Sequence, residues 1–439
     1  MLHLDCLLID WVKSGKMFEF DINIDNQYKG IINNTKNSVL FRFIAPYSGS
    51  YELICKANGL LCGAIYDEIQ SNYVNGAYAK NKSVVRLAST LLRDTVYYIE
   101  LYTSQHCREE ITYAFQISKI TTPNISHFKY QWGMLNRING VDINILPVWK
   151  YINSSDVYMG VADTGANYNH INLHKNINKK LSYNFVHENQ EVYPENEGGD
   201  EYAARSGHGT YVAGIIAGYP KGDIGILGVV NAPNTIALKV LGNKQNNCAV
   251  FNKASDAFVS AIEYAARNNI KIINCSFSGK EFSEKEKRAI ESAKDILFVM
   301  AAGNKGVDTG CEPFYPACYN TRNSIVVAAV DKCGQLYEKS NYGEYVDIGA
   351  PGEDVTSVYG DDQYIKVQGT SAAVPFVSGI CALLLEKNPK LLPHEVKQVV
   401  THSDNITPIN GLKGKVKCAG IINAYKAVIT ADTSILSGK

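Results

Sequence analysis

The sequence predicts an α/β protein: a mostly parallel sheet with helices on both faces, preceded by a smaller antiparallel β-sandwich. Three observations predict it. Early in the chain, period-two alternation marks strands such as Ser50-Tyr-Glu-Leu-Ile-Cys55 and Thr95–Tyr102, with turn residues at Pro46–Gly49 and Lys80–Ser83 between them. Farther on, strand-like apolar runs alternate with helix-period runs, and that alternation is the signature of βαβ units. The third is size: 439 residues allow two or three domains, and 46% apolar residues allow a sizeable core.

The alternating elements run in order as Val157–Ala162, Ala213–Gly218, Thr235–Leu241, Ala254–Arg267, Ile270–Cys275, Glu284–Ala293, Ile296–Ala302 and Ile325–Val330. The expected organisation is a sandwich-like domain at 1–122, a linker at 123–135, the α/β domain at 136–430 and a tail at 431–439. Residues 187–205 are polar and acidic and read as an exposed insertion.

Composition narrows the function. The 43 basic and 43 acidic residues cancel, which argues against nucleic acid as a partner, because phosphate binding needs a basic field. No stretch has the apolar length of a transmembrane segment. The first ten residues lack a basic region, and Asp5 and Asp10 interrupt their apolar run, so no secretory signal is read. This favours a cytoplasmic location, with a secreted or cell-surface one as the alternative. Eleven cysteines, an odd number without CxxC pairs, favour free thiols; Cys311 and Cys318 are close enough in sequence for a local disulfide.

Four motifs carry chemistry. Val161-Ala-Asp163-Thr-Gly165 ends a strand, Ser206-Gly-His208-Gly-Thr opens a helix, and Gly369-Thr-Ser371-Ala-Ala-Val-Pro375 opens another. A serine hydroxyl is a weak nucleophile and needs an adjacent base. Histidine titrates near neutral pH, so it can take that proton and return it to the leaving amine. A buried aspartate holds the required tautomer and stabilises the imidazolium. The fourth motif, Ala301-Ala-Gly-Asn304-Lys-Gly306, offers a side-chain N–H to a developing oxyanion, with the Ser371 backbone N–H as the second donor.

Each motif alone has a plainer reading. Asp-Thr-Gly is commonly a turn after a strand, and it occurs twice, at Asp163 and Asp308, which raises an aspartic-protease reading. Ser371 alone could cap a helix, and Asn304 alone could shape a turn. His170 and His174 have metal-ligand spacing but no HExxH glutamate, so they read as surface histidines. The sequon at Asn153 matters only in a secreted chain.

Taken together, the Asp, His, Asn and Ser blocks resemble the subtilisin-like (peptidase S8) family, whose triad follows this order. Gly225–Val229, Asn274-Cys-Ser-Phe-Ser-Gly279, Val346–Gly352 and Cys418–Val428 resemble further family blocks, so the likeness spans roughly residues 130–430. Val39–Thr103 is similar to the small β-sandwich modules of some bacterial secreted peptidases. The resemblance implies a serine endopeptidase working through an acyl-enzyme, with a catalytically silent, subtilase-like binding scaffold as the alternative. It implies Asp163, His208 and Ser371 as triad and Asn304 as oxyanion donor. Ser276, Phe277, Ser278 and Gly279 would bind an extended polypeptide substrate by strand addition. Phe314 would sit near the floor of the S1 pocket and favour small or medium P1 side chains. No cofactor is needed for the chemistry and no metal ligand is assigned. Loop Gly222–Ile226 lacks the asparagine of a common calcium loop, Tyr211 stands where many relatives carry histidine, and the N-terminal region is unlike the family's inhibitory propeptide.

Overall fold

The computed structural model describes residues 20–33, 38–67, 73–78, 84–103, 110–194, 207–242 and 248–430. The turn expected at Lys80–Ser83, much of the acidic insertion, Ser206 and the tail 431–439 lie outside them. The chain divides after Thr122 into a smaller unit, which also takes Leu135–Gly140, and a larger one of Pro123–Met134 and Val141 onward.

Among the described residues the smaller unit holds nine strands: β1 (Phe20–Ile22), β2 (Gln27–Ile32), β3 (Ser38–Ile44), β4 (Gly49–Ala57), β5 (Cys62–Asp67), β6 (Tyr73–Tyr78), β7 (Val84–Leu91), β8 (Val96–Tyr102) and β9 (Ile111–Lys119). They form two sheets, ordered β1-β3-β8-β5-β6 and β2-β9-β4-β7. All described pairings are antiparallel except β1 with β3, where Phe20 pairs with Phe41 in parallel. Alternation explains the packing. Along β9, Ile111, Tyr113, Phe115 and Ile117 are buried while Thr112 and Gln116 face outward. Phe115 meets Phe41 of the other sheet at a ring-centroid distance of 4.7 Å, so the core lies between the sheets.

The larger unit follows in order with α1 (Leu146–Trp149), β10 (Met159–Asp163), β11 (Tyr183–Asn184), α2 (His208–Ala217), β12 (Thr235–Lys239), α3 (Cys248–Arg267), β13 (Ile272–Cys275), α4 (Glu284–Ser292), β14 (Leu297–Ala301), β15 (Ser324–Val330), β16 (Ile348–Pro351), β17 (Val355–Tyr359), β18 (Gln363–Val367), α5 (Thr370–Lys387), α6 (Pro393–Thr401), β19 (Ile406–Pro408) and β20 (Gly420–Ile422). Its main sheet runs β11-β12-β10-β13-β14-β15-β16-β20-β19. Every described pair is parallel except β19 with β20. Strands β10, β12, β13, β14 and β15 are buried at every residue, as expected of a parallel sheet covered on both faces. Helix α5 is long and apolar enough to cross a membrane by composition, but it is the core helix, lying against β13 to β16. Residues 123–134 are held on this unit: the Ser126 and His127 N–H groups donate to Asp223 O and Gly225 O, and Gln131 Nε2 donates to Leu227 O.

Candidate active site

The residues singled out by motif converge at the carboxyl ends of β10, β13 and β14 and the amino ends of α2 and α5. This is where an open α/β sheet gathers its site. Asp163 ends β10 and is fully buried. Its Oδ1 accepts the Thr164 N–H at 2.7 Å, and its two oxygens lie 2.8 and 2.9 Å from His208 Nδ1. Nδ1 therefore donates to the carboxylate and Nε2 is left to act as a base. Two glycines permit this approach. A Cβ at Gly209 would meet the Gly165 carbonyl at 2.0 Å, and Gly165 itself adopts φ +96°, the left-handed region.

Ser371 lies in the first turn of α5, after Gly369 at φ +105°. Its hydroxyl donates to Ser276 O at 2.8 Å. Pro375 has no N–H to give the Ser371 carbonyl, and the Ser276 hydroxyl donates there instead at 3.0 Å. Helices α2 and α5 pack together. Tyr211 on α2 has its ring 4.7 Å from the His208 ring. Burial, then the Asp163 charge, raises this phenol well above its ordinary pKa.

Asn304 follows β14. Its Oδ1 accepts from Thr370 N at 2.8 Å and Thr370 Oγ1 at 3.0 Å, so the amide is oriented by the residue next to Ser371 and Nδ2 is the group left to donate. The loop beneath it is built by Asn341, whose Nδ2 donates to Ala302 O and whose Oδ1 accepts from Lys305 N.

The subtilase family (peptidase S8) profile matches residues 154–418. The chain belongs to the subtilase family. It is 32% identical over 310 residues to the thermophilic serine proteinase of Bacillus sp. strain AK1, covering 70% of this chain and 69% of that one. It is 30% identical over 282 residues to thermitase of Thermoactinomyces vulgaris, covering 64% and 91%. A solved structure of a protease from Pseudoalteromonas arctica PAMC 21717 superposes with a TM-score of 0.59 at 25% identity, over 71% of this chain and all of that one. This subtilase is a serine-type endopeptidase, and a peptide is its expected substrate.

Several expectations for this subtilase need correction or refinement. Part of the Ser276–Gly279 backbone is already bonded within the fold. The Gly279 N–H and C=O both pair with Tyr315, at 2.8 and 2.7 Å, and Ser276 O is engaged by Ser371. Among the described residues, the Phe277 and Ser278 backbones carry no main-chain bond. The Phe277 ring turns inward, edge-on to Phe258 at 5.2 Å. Ser278 is exposed beside Gly303. Phe314 is buried, its N–H donating to Cys318 Sγ at 3.3 Å, with Lys280 Nζ 5.7 Å from its ring. Cys311 and Cys318 are both free thiols.

The pair read as surface histidines divides. Among the described residues, His174 is bonded only to its own loop, but His170 is 1% exposed, its Nε2 against Gln363 O and its Nδ1 accepting the Asn172 N–H. It is a structural core histidine, with burial holding its pKa down. Asp308 binds its own turn through Gly310 N, a turn role and not half of a carboxylate dyad.

Structural calcium is common among subtilases, and Tyr219–Ile226 is the stretch to test for it. Its donor set does not fit a cation. The Tyr219 and Ile224 carbonyls converge on Asn172 Nδ2, each at 3.2 Å, while Asn172 Oδ1 accepts from Tyr364 at 2.9 Å. Two oxygens that a calcium ion would bind are met by a neutral N–H₂ group. Among the described residues, no group of three acidic, His or Cys side chains is placed to hold a metal. Asn172 and Asn341 escaped sequence reasoning because an asparagine in a loop signals turn chemistry, not a partner dozens of residues away.

Proposed function

We propose that this subtilase cleaves peptide bonds with Ser371 as nucleophile, His208 as general acid and base, Asp163 as orienter and Asn304 as oxyanion donor. The single supporting observation is the His208–Asp163 couple, bonded through Nδ1 and set beside the helix turn that carries Ser371. In this scheme Ser371 Oγ attacks the acyl carbon as its proton passes to Nε2. The carbonyl oxygen gains the electron pair and is met by Asn304 Nδ2 and the Ser371 N–H. Nε2 then protonates the leaving amine, and water hydrolyses the ester by the same route.

The substrate lies extended against Ser276–Gly279 as an added strand. Phe314 fills the end of the S1 pocket, so P1 side chains are small or medium. The chain acts as a processing enzyme on defined precursors, with residues 1–122 as a separate β domain, 123–135 as linker and 136–430 as the peptidase domain.

An active-site fluorophosphonate probe tests the assignment: wild type should be labelled once, on Ser371, and Ser371→Ala should not. A diverse peptide library tests specificity. Cleavage dominated by aromatic or Arg P1 residues would refute the closed S1 pocket, and broad degradation of unfolded proteins would refute the processing role.

A further inference from the structure

An oxyanion donor must stand in place before charge develops, because a donor that has to move into position gives back part of what it stabilises. Asn304 is poorly equipped to hold itself. It is exposed, it lies in a loop after β14, and among the described residues its own N–H and carbonyl make no hydrogen bond. Its side chain is oriented by Thr370, but its backbone position is set by its neighbours.

Those neighbours are all bound by one residue. Asn341 is fully buried, and its side chain spans the loop on both sides of Asn304. Before Asn304, Nδ2 donates to Ala302 O at 3.0 Å and the Asn341 N–H donates to Gly303 O at 2.9 Å. After Asn304, Oδ1 accepts from Lys305 N at 2.9 Å and Val307 N at 3.3 Å. Both lone pairs of the amide oxygen are thereby used, and the two backbone donors fix which end of the amide is oxygen. Gly303 makes the room: at φ +106° it has no side chain, and a Cβ there would lie 2.4 Å from Asn341 Nδ2. Asn341 is itself anchored in the sheet. The Ser340 hydroxyl donates to Asn341 O and accepts the N–H of Ala329 in β15, each at 3.0 Å.

We propose that Asn341 is a positioning residue for the oxyanion donor: it clamps residues 302–307 to β15, so that Asn304 Nδ2 is held where the carbonyl oxygen gains its charge. The inference rests on Asn304 being that donor. Asn341 touches neither substrate nor reacting atoms and acts through Asn304 alone, so its removal cannot cost more in kcat than the loss of Asn304 itself.

A double-mutant cycle tests this on four proteins: wild type, Asn341→Ala, Asn304→Ala and the double variant. Steady-state kinetics on one short peptide are expressed per site labelled by the fluorophosphonate probe, so misfolded enzyme does not count. Asn341→Ala should lower kcat roughly 10- to 100-fold with KM little changed, since about 1 Å of misplacement is enough for the upper figure. In the Asn304→Ala background the same substitution should cost less than about threefold. A residue that only stabilised the fold would lower Tm and leave kcat per labelled site at the wild-type value, and that result overturns the proposal. Equal losses in both backgrounds overturn it too. A crystal structure of wild type with a peptide boronic acid on Ser371 is the second measurement. Asn304 Nδ2 should meet a boronate oxygen while Asn341 Oδ1 keeps the Lys305 and Val307 N–H groups; an Asn341 that has let go of them overturns the proposal even if the variants fail to fold. If Asn304→Ala retains wild-type kcat, the oxyanion assignment falls and the Asn341 role with it. If Asn304→Ala is impaired but the cycle is additive, the Asn341 role falls alone.

Discussion

Ser276 and Ser371 exchange hydrogen bonds in both directions. The Ser371 hydroxyl donates to Ser276 O at 2.8 Å, and the Ser276 hydroxyl donates to Ser371 O at 3.0 Å. Ser276 Oγ in turn accepts from Asn274 Nδ2, whose Oδ1 accepts from Ser378 one helix turn beyond Pro375. The end of β13 and the first turns of α5 are thus tied by side chains at the point where Pro375 removes a helical bond.

Ser276→Ala removes the donor and leaves a buried carbonyl without its partner. The expected cost is about 1–3 kcal/mol of unfolding free energy. Denaturant titration in a Ser371→Ala background, which prevents self-cleavage, measures it. A loss below about 0.5 kcal/mol would mean that the Ser371 carbonyl finds another donor.

Asn304 is held by its oxygen and is free to donate through its nitrogen. Asn304→Ala should lower kcat by roughly 100- to 1,000-fold, with KM little changed, a range obtained on a subtilisin relative. Steady-state kinetics on one peptide decide the matter. A fall in KM-governed binding with kcat intact would assign Asn304 to substrate holding instead.

Much of this was legible in the sequence because strand-end and helix-start motifs are local. Asp163 closes a buried apolar run, and His208 and Ser371 open helices after glycine, so pattern alone placed them. The rest depended on long-range partners. Nothing in Asn274-Cys-Ser-Phe tells that Ser276 turns back onto α5, or that Tyr315 takes the Gly279 backbone. His170 looked exposed because its loop is polar; its burial comes from the β17–β18 hairpin, whose Gln363 carbonyl covers it. The parallel β1–β3 pairing was equally invisible, since alternation fixes which face a residue takes but not its neighbour strand.

At the Tyr219–Ile226 loop, Asn172→Asp would point an anion at two carbonyl oxygens in place of an amide N–H₂. In chelator the variant should lose about 1–3 kcal/mol relative to wild type. Added calcium should restore it, because the site then has a charged ligand and two oxygens ready for a cation. Melting curves of both proteins across a calcium titration provide the check. A variant that melts like wild type in chelator would show that the amide contributes nothing to the loop.

Lys426 supplies a prediction about pH. It is nearly fully buried, its Nζ donates to Ile406 O at 3.1 Å, and burial lowers its pKa from the ordinary 10.5 to about 8, with Asp404 acting in the opposite sense. The sign follows from proton binding. Below pH 8 folded and unfolded chains both carry the proton, so the cost of burying the charge is constant. Between pH 8 and about 10.4 the unfolded chain still binds it and the folded one does not, so stability rises with pH. The full span is worth about 3 kcal/mol at 1.36 kcal/mol per pH unit. Lys426→Met removes this contribution, while every other lysine and tyrosine titrates alike in both proteins and cancels in the comparison. From pH 7 to pH 10, the stability difference should therefore move by about 2–3 kcal/mol in favour of wild type. A difference that stays flat across that range would place the folded-state pKa at its ordinary value and the ammonium within reach of water.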